Sequence, residues 1–90
     1  MASGTTTHTV TRSAWVRLDD SAAYVSGLVQ GGGVSLAYMA STSAPATLTT
    51  ADVLPLEAGE KFAFEMGSGE SLWALSRTGS SLVSVMRRAA

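Results

Sequence analysis

The segment from Glu60 to Met66 alternates strictly, with Phe62, Phe64 and Met66 on one side and Lys61, Ala63 and Glu65 on the other. A side-chain period of two belongs to a strand with one buried and one wet face, because successive Cβ atoms of an extended chain point to opposite sides. Val34 to Ala40 repeats the pattern, setting Val34, Leu36 and Tyr38 against Ser35, Ala37 and Met39. Further short runs lie at Thr5 to Thr11, Ala14 to Leu18, Ala22 to Gln30, Ser71 to Arg77 and Ser81 to Arg87. Val53 to Leu56 contains Pro55, which cannot donate to a ladder and so predicts an edge strand. No stretch carries the three-to-four-residue apolar spacing of a helix.

Turn residues separate the runs. Gly31-Gly32-Gly33 and Gly67-Ser68-Gly69 can reach the positive φ of tight hairpins, and Ala58-Gly59-Glu60 and Thr78-Gly79-Ser80 read as hairpin or turn tips. About seven or eight short strands at this spacing predict an all-β fold, a small antiparallel β-sandwich or barrel. Residues 1–12 are expected to form an extended N-terminal arm and residues 13–90 the single domain. The arm begins with small polar residues that do not fold alone, so it is expected to lie along a neighbouring chain, by strand addition.

A chain of 90 residues supports one domain. A domain this small hides only about 60–65% of the surface its unfolded chain exposes. Disulfides, metals or neighbours usually make good the deficit. The chain has no cysteine and one histidine, which excludes disulfides and any thiolate or multi-histidine metal site within one chain. Neighbours remain. With six basic and seven acidic residues there is no concentrated positive field to hold phosphate, so no nucleic-acid partner is expected. No apolar run reaches membrane-spanning length, and the N-terminal residues lack the basic and apolar regions of a signal peptide, so no membrane partner and synthesis in the cytoplasm are expected.

No residue pattern requires catalysis. Asp19-Asp20 lacks further oxygen ligands at cation-binding offsets and reads as a solvated turn. His8 sits among threonines with no nucleophile elbow nearby and reads as a surface or interface histidine. Gly31-Gly32-Gly33 lacks the following Lys of a phosphate loop. Trp15, Tyr24, Tyr38, Phe62, Phe64 and Trp73 supply core or subunit interface, with Tyr24 and Tyr38 the most able to face outward as sugar-stacking platforms. Arg87-Arg88 reads as a solvated tail or a contact with a neighbour. The expected interface set is therefore Thr5, Thr6, Thr7, His8 and Thr9 of the arm with Tyr24, Tyr38, Arg87 and Arg88; no catalytic, cofactor or metal residue is expected.

The C-terminal half reads Leu54-Pro55-Leu56-Glu57-Ala58-Gly59-Glu60-Lys61-Phe62-Ala63-Phe64, then Ser71-Leu72-Trp73-Ala74-Leu75-Ser76, then Ser80-Ser81-Leu82-Val83-Ser84-Val85. This succession of a leucine, a glycine turn, an aromatic pair, a Trp-Ala strand and a final Val-x-Val strand resembles the small β-sandwich virion proteins of tailed bacteriophages, of head-decoration, head-fibre or minor structural type. Ala14-Trp15-Val16 and Val34-Ser35-Leu36-Ala37 match their opening strands loosely, so the resemblance covers about residues 13–86. The lack of Asn and Ile, and one Lys against five Arg, fits a GC-rich bacterial or bacteriophage source.

The resemblance implies a capsid decoration or cementing protein, without cofactor, that binds the major capsid protein or other virion subunits. It further implies a homo-oligomer, most naturally a trimer, located in the virion. The alternative is a carbohydrate- or receptor-binding module, or a tail or fibre component, of the same particle. An enzyme has the least support.

Overall fold

Eight short strands form in the computed structural model, which describes residues 4–19, 23–45 and 53–88. They are β1 (Gly4–Thr11), β2 (Val16–Arg17), β3 (Tyr24–Gly31), β4 (Val34–Met39), β5 (Leu54–Leu56), β6 (Lys61–Glu65), β7 (Ser71–Ser76) and β8 (Ser80–Arg88). No helix occurs among the described residues. Two four-stranded sheets result, in the orders β1-β8-β3-β6 and β2-β7-β4-β5, with every neighbouring pair antiparallel.

The order follows a simple rule. First pairs with last, second with seventh, third with sixth, and fourth with fifth, as in one long ribbon folded at its middle. Wrapping that ribbon on itself adds the β3–β8 and β4–β7 ladders. This is the double-Greek-key jelly roll, which covers sheet faces by packing them on each other. The expected all-β sandwich is thus observed.

The topology changes the meaning of the glycine turns. Only β4 and β5 are both consecutive and hydrogen-bonded to each other; the other connections pass between sheets. Gly31-Gly32-Gly33 and the turns at 57–60, 67–70 and 77–79 therefore close the ends of the sandwich and are not hairpin tips. Gly32 shows why glycine is needed there. Its φ is +68°, and a Cβ would lie 2.5 Å from Ser81 Oγ and 2.7 Å from Thr78 Oγ1. Buried serines tie this turn to the β7–β8 turn. Ser76 and Ser81 share a hydrogen bond of 2.8 Å, Ser81 Oγ donates to the Gly33 carbonyl at 3.0 Å, and Ser76 Oγ accepts from the Thr78 and Gly79 N–H groups.

Val10, Leu18, Val25, Val29, Val34, Leu36, Leu56, Phe62, Met66, Leu72, Ala74, Val83 and Val85 form the core. Phe62 and Met66 are buried and Phe64 packs against the core, while Lys61, Ala63 and Glu65 face out, as their alternation predicts. The tryptophans are half-buried rather than central; branched aliphatics fill the interior. Pro55 lies in β5, an edge strand.

Two expectations are corrected. Residues 4–11 are not an arm outside the domain: they are its first strand, paired with β8 over eight consecutive registers from Gly4↔Arg87 to Thr11↔Ser80. Val10 enters the core, which fixes the segment in place. Residues 1–3 lie outside the described residues. Asp19 is not in a solvated turn but fully buried, as its contacts below explain, and Asp20 lies outside the described residues.

Candidate functional site

Register alone assigns a face to each side chain of the β1-β8-β3-β6 sheet, because directly opposite residues point the same way. Since Val25, Val29, Val83 and Val85 point into the core, the alternate residues point out. One outer row runs Thr5, Met86, Ser26, Ala63, and the next runs Thr7, Ser84, Leu28, Lys61. Arg88, Tyr24 and Glu65 form a third row at one end, and Thr9 and Leu82 a fourth at the other.

Small side chains at Ser26, Ala63 and Ser84 leave a depression of about 580 Å³ in this face. Thr5, Leu28, Lys61 and Met86 stand around it, and Gly27 and Phe62 complete its floor. Met86 is 61% exposed and Leu82 43% exposed on this face. Charge is confined to the margins. Lys61 and Glu65 stand on β6, and the Arg88 guanidinium lies over the Tyr24 ring, 5.2 Å from its centroid.

The outer face of the second sheet differs. There Ala37 and Leu75 are buried, and so is Ser71. Ser71 Oγ donates to the Ser41 carbonyl and accepts from Trp73 Nε1 at 2.7 Å, and Pro45 is buried as well. Ser41, just beyond β4, thus reaches this face at Ser71; the bare face is that of the first sheet, around its depression.

The expected interface residues divide by strand parity. Thr5, Thr7, Thr9, Tyr24 and Arg88 all stand on the bare face. Thr6, His8 and Arg87 take the opposite parity and point inward: Arg87 Nη2 donates to Thr6 Oγ1 at 2.8 Å, and His8 is half-buried opposite Val83. His8 is therefore half-buried on the inner side of the edge strand β1, because its neighbour Val83 is on the core side of β8. Tyr38 belongs to the other sheet, where its exposed ring donates a hydroxyl hydrogen bond to Glu70. That bond is the main reason the phenol titrates above its ordinary value. The same bond, with help from the Gly67 N–H, holds the Glu70 carboxyl below its own.

Met86, Leu28, Ser26 and Ala63 at the centre of the bare face, and Leu82 at one end, are absent from the expected set. The signal was present in Ser81 to Arg88, where Leu82, Ser84, Met86 and Arg88 alternate with Ser81, Val83, Val85 and Arg87.

The strongest polar cluster is structural. Arg17 Nε and Nη2 donate to Asp19 Oδ1 and Oδ2 at 2.9 and 3.1 Å, and Asp19 Oδ1 also accepts the Leu72 N–H at 3.1 Å. Burial by itself raises the Asp19 pKa, but the Arg17 hydrogen bonds, the Leu72 N–H and the guanidinium charge outweigh it, so the carboxyl titrates below its ordinary value. The pair joins β2 to β7 rather than meeting a ligand. Among the described residues no group of three or more His, Cys, Asp or Glu side chains could hold a metal ion, and no helix is long and apolar enough to cross a membrane.

Compared with protein-family models, curated proteins and solved structures, the chain matches none.

Proposed function

We propose that this protein is a structural subunit of a tailed bacteriophage particle, a capsid decoration protein that docks on the major capsid protein through the outer face of the β1-β8-β3-β6 sheet. The observation that carries this reading is the outer face of the β1-β8-β3-β6 sheet, where the exposed Met86 stands with Thr5, Leu28 and Lys61 around a depression floored by small side chains. Such a face fits the centre of a protein interface, where charged residues are depleted and methionine is enriched. The sequence resemblance to small phage virion proteins supports the particle. The jelly roll agrees with it, since viral capsid domains use this architecture, although lectins and cupins do too and fold alone assigns no function. Many symmetric copies on one shell would hold firmly even where each contact is weak.

The test is co-sedimentation of the purified protein with particles lacking it. Met86→Asp and Ala63→Glu place charge in the middle of the face without touching the core. Each is expected to weaken binding about 30-fold, the equivalent of a hot spot worth ~2 kcal/mol, with an unchanged melting temperature. Binding undiminished in both variants would overturn the reading.

A second reading, a carbohydrate-binding module of the same particle, is favoured by Tyr38. Its ring is 46% exposed beside the Glu70 carboxylate, an apolar surface next to a hydrogen-bond acceptor. Tyr38→Ala is expected to abolish any glycan-array signal while leaving the fold intact. A wild-type protein that lights no glycan on such an array removes this reading.

A further inference from the structure

A sandwich of two open sheets has four edges, and three of these are blunted. β2 has two residues. β5 has three and contains Pro55. β6 has five and carries outward-facing Lys61 and Glu65. Shortness, proline and charge are the usual devices that stop a sheet edge from pairing with another chain. β1 has none of them. It runs for eight residues, Gly4–Thr11, with no proline, lysine, arginine or carboxylate. Its ladder with β8 keeps one continuous register, whereas β3 carries an irregularity between Val29 and Gly31. Its far side therefore presents a long, regular row of backbone donors and acceptors.

From this difference between edges we propose that β1 pairs with β1 of a second copy, antiparallel across a two-fold axis, to join two β1-β8-β3-β6 sheets into one of eight strands. The occupant follows from the composition of the strand. An antiparallel pair related by a two-fold axis perpendicular to the sheet keeps outward residues opposite outward residues, so the register must set positions of equal parity against each other. With Thr7 on the axis, Thr7 meets Thr7 and Thr5 meets Thr9 on the outer face, while Thr6 meets His8 on the inner one. Thr–Thr cross-strand pairs are favourable, and this register sets no charge against a like charge. The next register would bring His8 onto the axis against its own copy. A self-complementary neutral strand fits itself better than it fits a charged partner.

This contact uses the edge of the sheet and goes beyond the docking role of the outer face; each stands without the other. It closes at two chains, because an isologous contact consumes the same patch on both subunits. That assembly differs from the trimer implied by the sequence resemblance, and native mass separates the two.

The test combines mass with cross-linking of the full chain. Light scattering across a concentration series is expected to give twice the 9.2 kDa of one chain. The sequence has no cysteine, so a single introduced thiol reports cleanly. Opposite residues on paired antiparallel strands have Cα atoms about 4.5–5.5 Å apart, within disulfide reach. Thr7→Cys should therefore cross-link to a covalent dimer on mild oxidation, while Ala63→Cys on β6 should not. Thr7→Lys sets two ammonium groups against each other and should halve the mass with an unchanged far-ultraviolet spectrum. If that variant loses its strand spectrum, the cysteine pair decides alone. A wild-type mass of one chain at every concentration overturns the proposal. So does a three-chain mass, or cross-linking through position 63 in place of position 7.

Discussion

Asp19→Ala is expected to cost about 3 kcal/mol, a large share of the roughly 5–10 kcal/mol that holds a domain of this size together. The substitution removes both acceptors of the Arg17 fork and the acceptor of the Leu72 N–H, and it takes the Asp19 charge away from a guanidinium that is only 28% exposed. Arg17 retains some contact with water, which places the effect at the lower end for a broken buried pair. Asp19→Asn keeps one acceptor oxygen and should cost less; Arg17→Lys keeps the charge but not the two-pronged geometry and should also fall between. The pH dependence follows from the direction of the shift. A carboxyl whose folded pKa lies below its ordinary 3.8 stabilises the fold at pH values above that figure and loses this contribution as pH falls through the folded value. Chemical denaturation of the wild type should show stability falling in that acid range, and the Asp19→Asn variant should show a shallower fall. Equal slopes for the two proteins would mean that Asp19 does not carry the acid response.

The second large effect is expected at Gly27→Ala. In an ordinary strand this change is mildly favourable, because alanine gives up less backbone freedom on folding. Here the added Cβ would lie 2.5 Å from Phe62 Cζ and 2.6 Å from the Ser84 carbonyl oxygen. The ring can turn aside, but the carbonyl belongs to the central strand β8 and cannot. Overpacking of this kind costs about 1–3 kcal/mol, and a backbone obstacle puts the change at the top of that range. Unfolding in urea should show a lowered midpoint. Combining Gly27→Ala with Phe62→Leu separates the two contacts: the double variant should recover the part due to the ring and retain the part due to the carbonyl. A single variant as stable as the wild type would show that the β3–β8 spacing yields freely at this point.

Both sites show where a linear reading stops. Gly27 sits inside an apolar run, and nothing beside it in sequence announces that Phe62 and Ser84 will crowd it. Asp19 looked like half of a solvated acidic pair because its partner in burial, the Leu72 N–H, lies 53 positions away. Arg17 was two residues off and readable as a partner, yet its charge acquires structural meaning only once Leu18 has turned into the core.

The all-β character, the inward faces of β6 and β8 and the edge position of β5 were legible, because a period of two and a proline act locally. The closure of residues 4–11 onto residues 80–87 was not. Threonine-rich sequence is compatible both with a free arm and with a strand, and only the ladder to β8 chooses between them. The bare face was half legible: alternation told which residues of β8 share a side, while the topology decided that this side stays uncovered.

Local alternation, turn residues and the lack of cysteine thus determined that this chain makes short strands and must stabilise them by packing. Tertiary structure decided which strands are neighbours, which residues stand around the depression and which edge stays open. The physical reason is that a strand's own residues fix its two faces, whereas its hydrogen-bonding partners come from the far end of the chain.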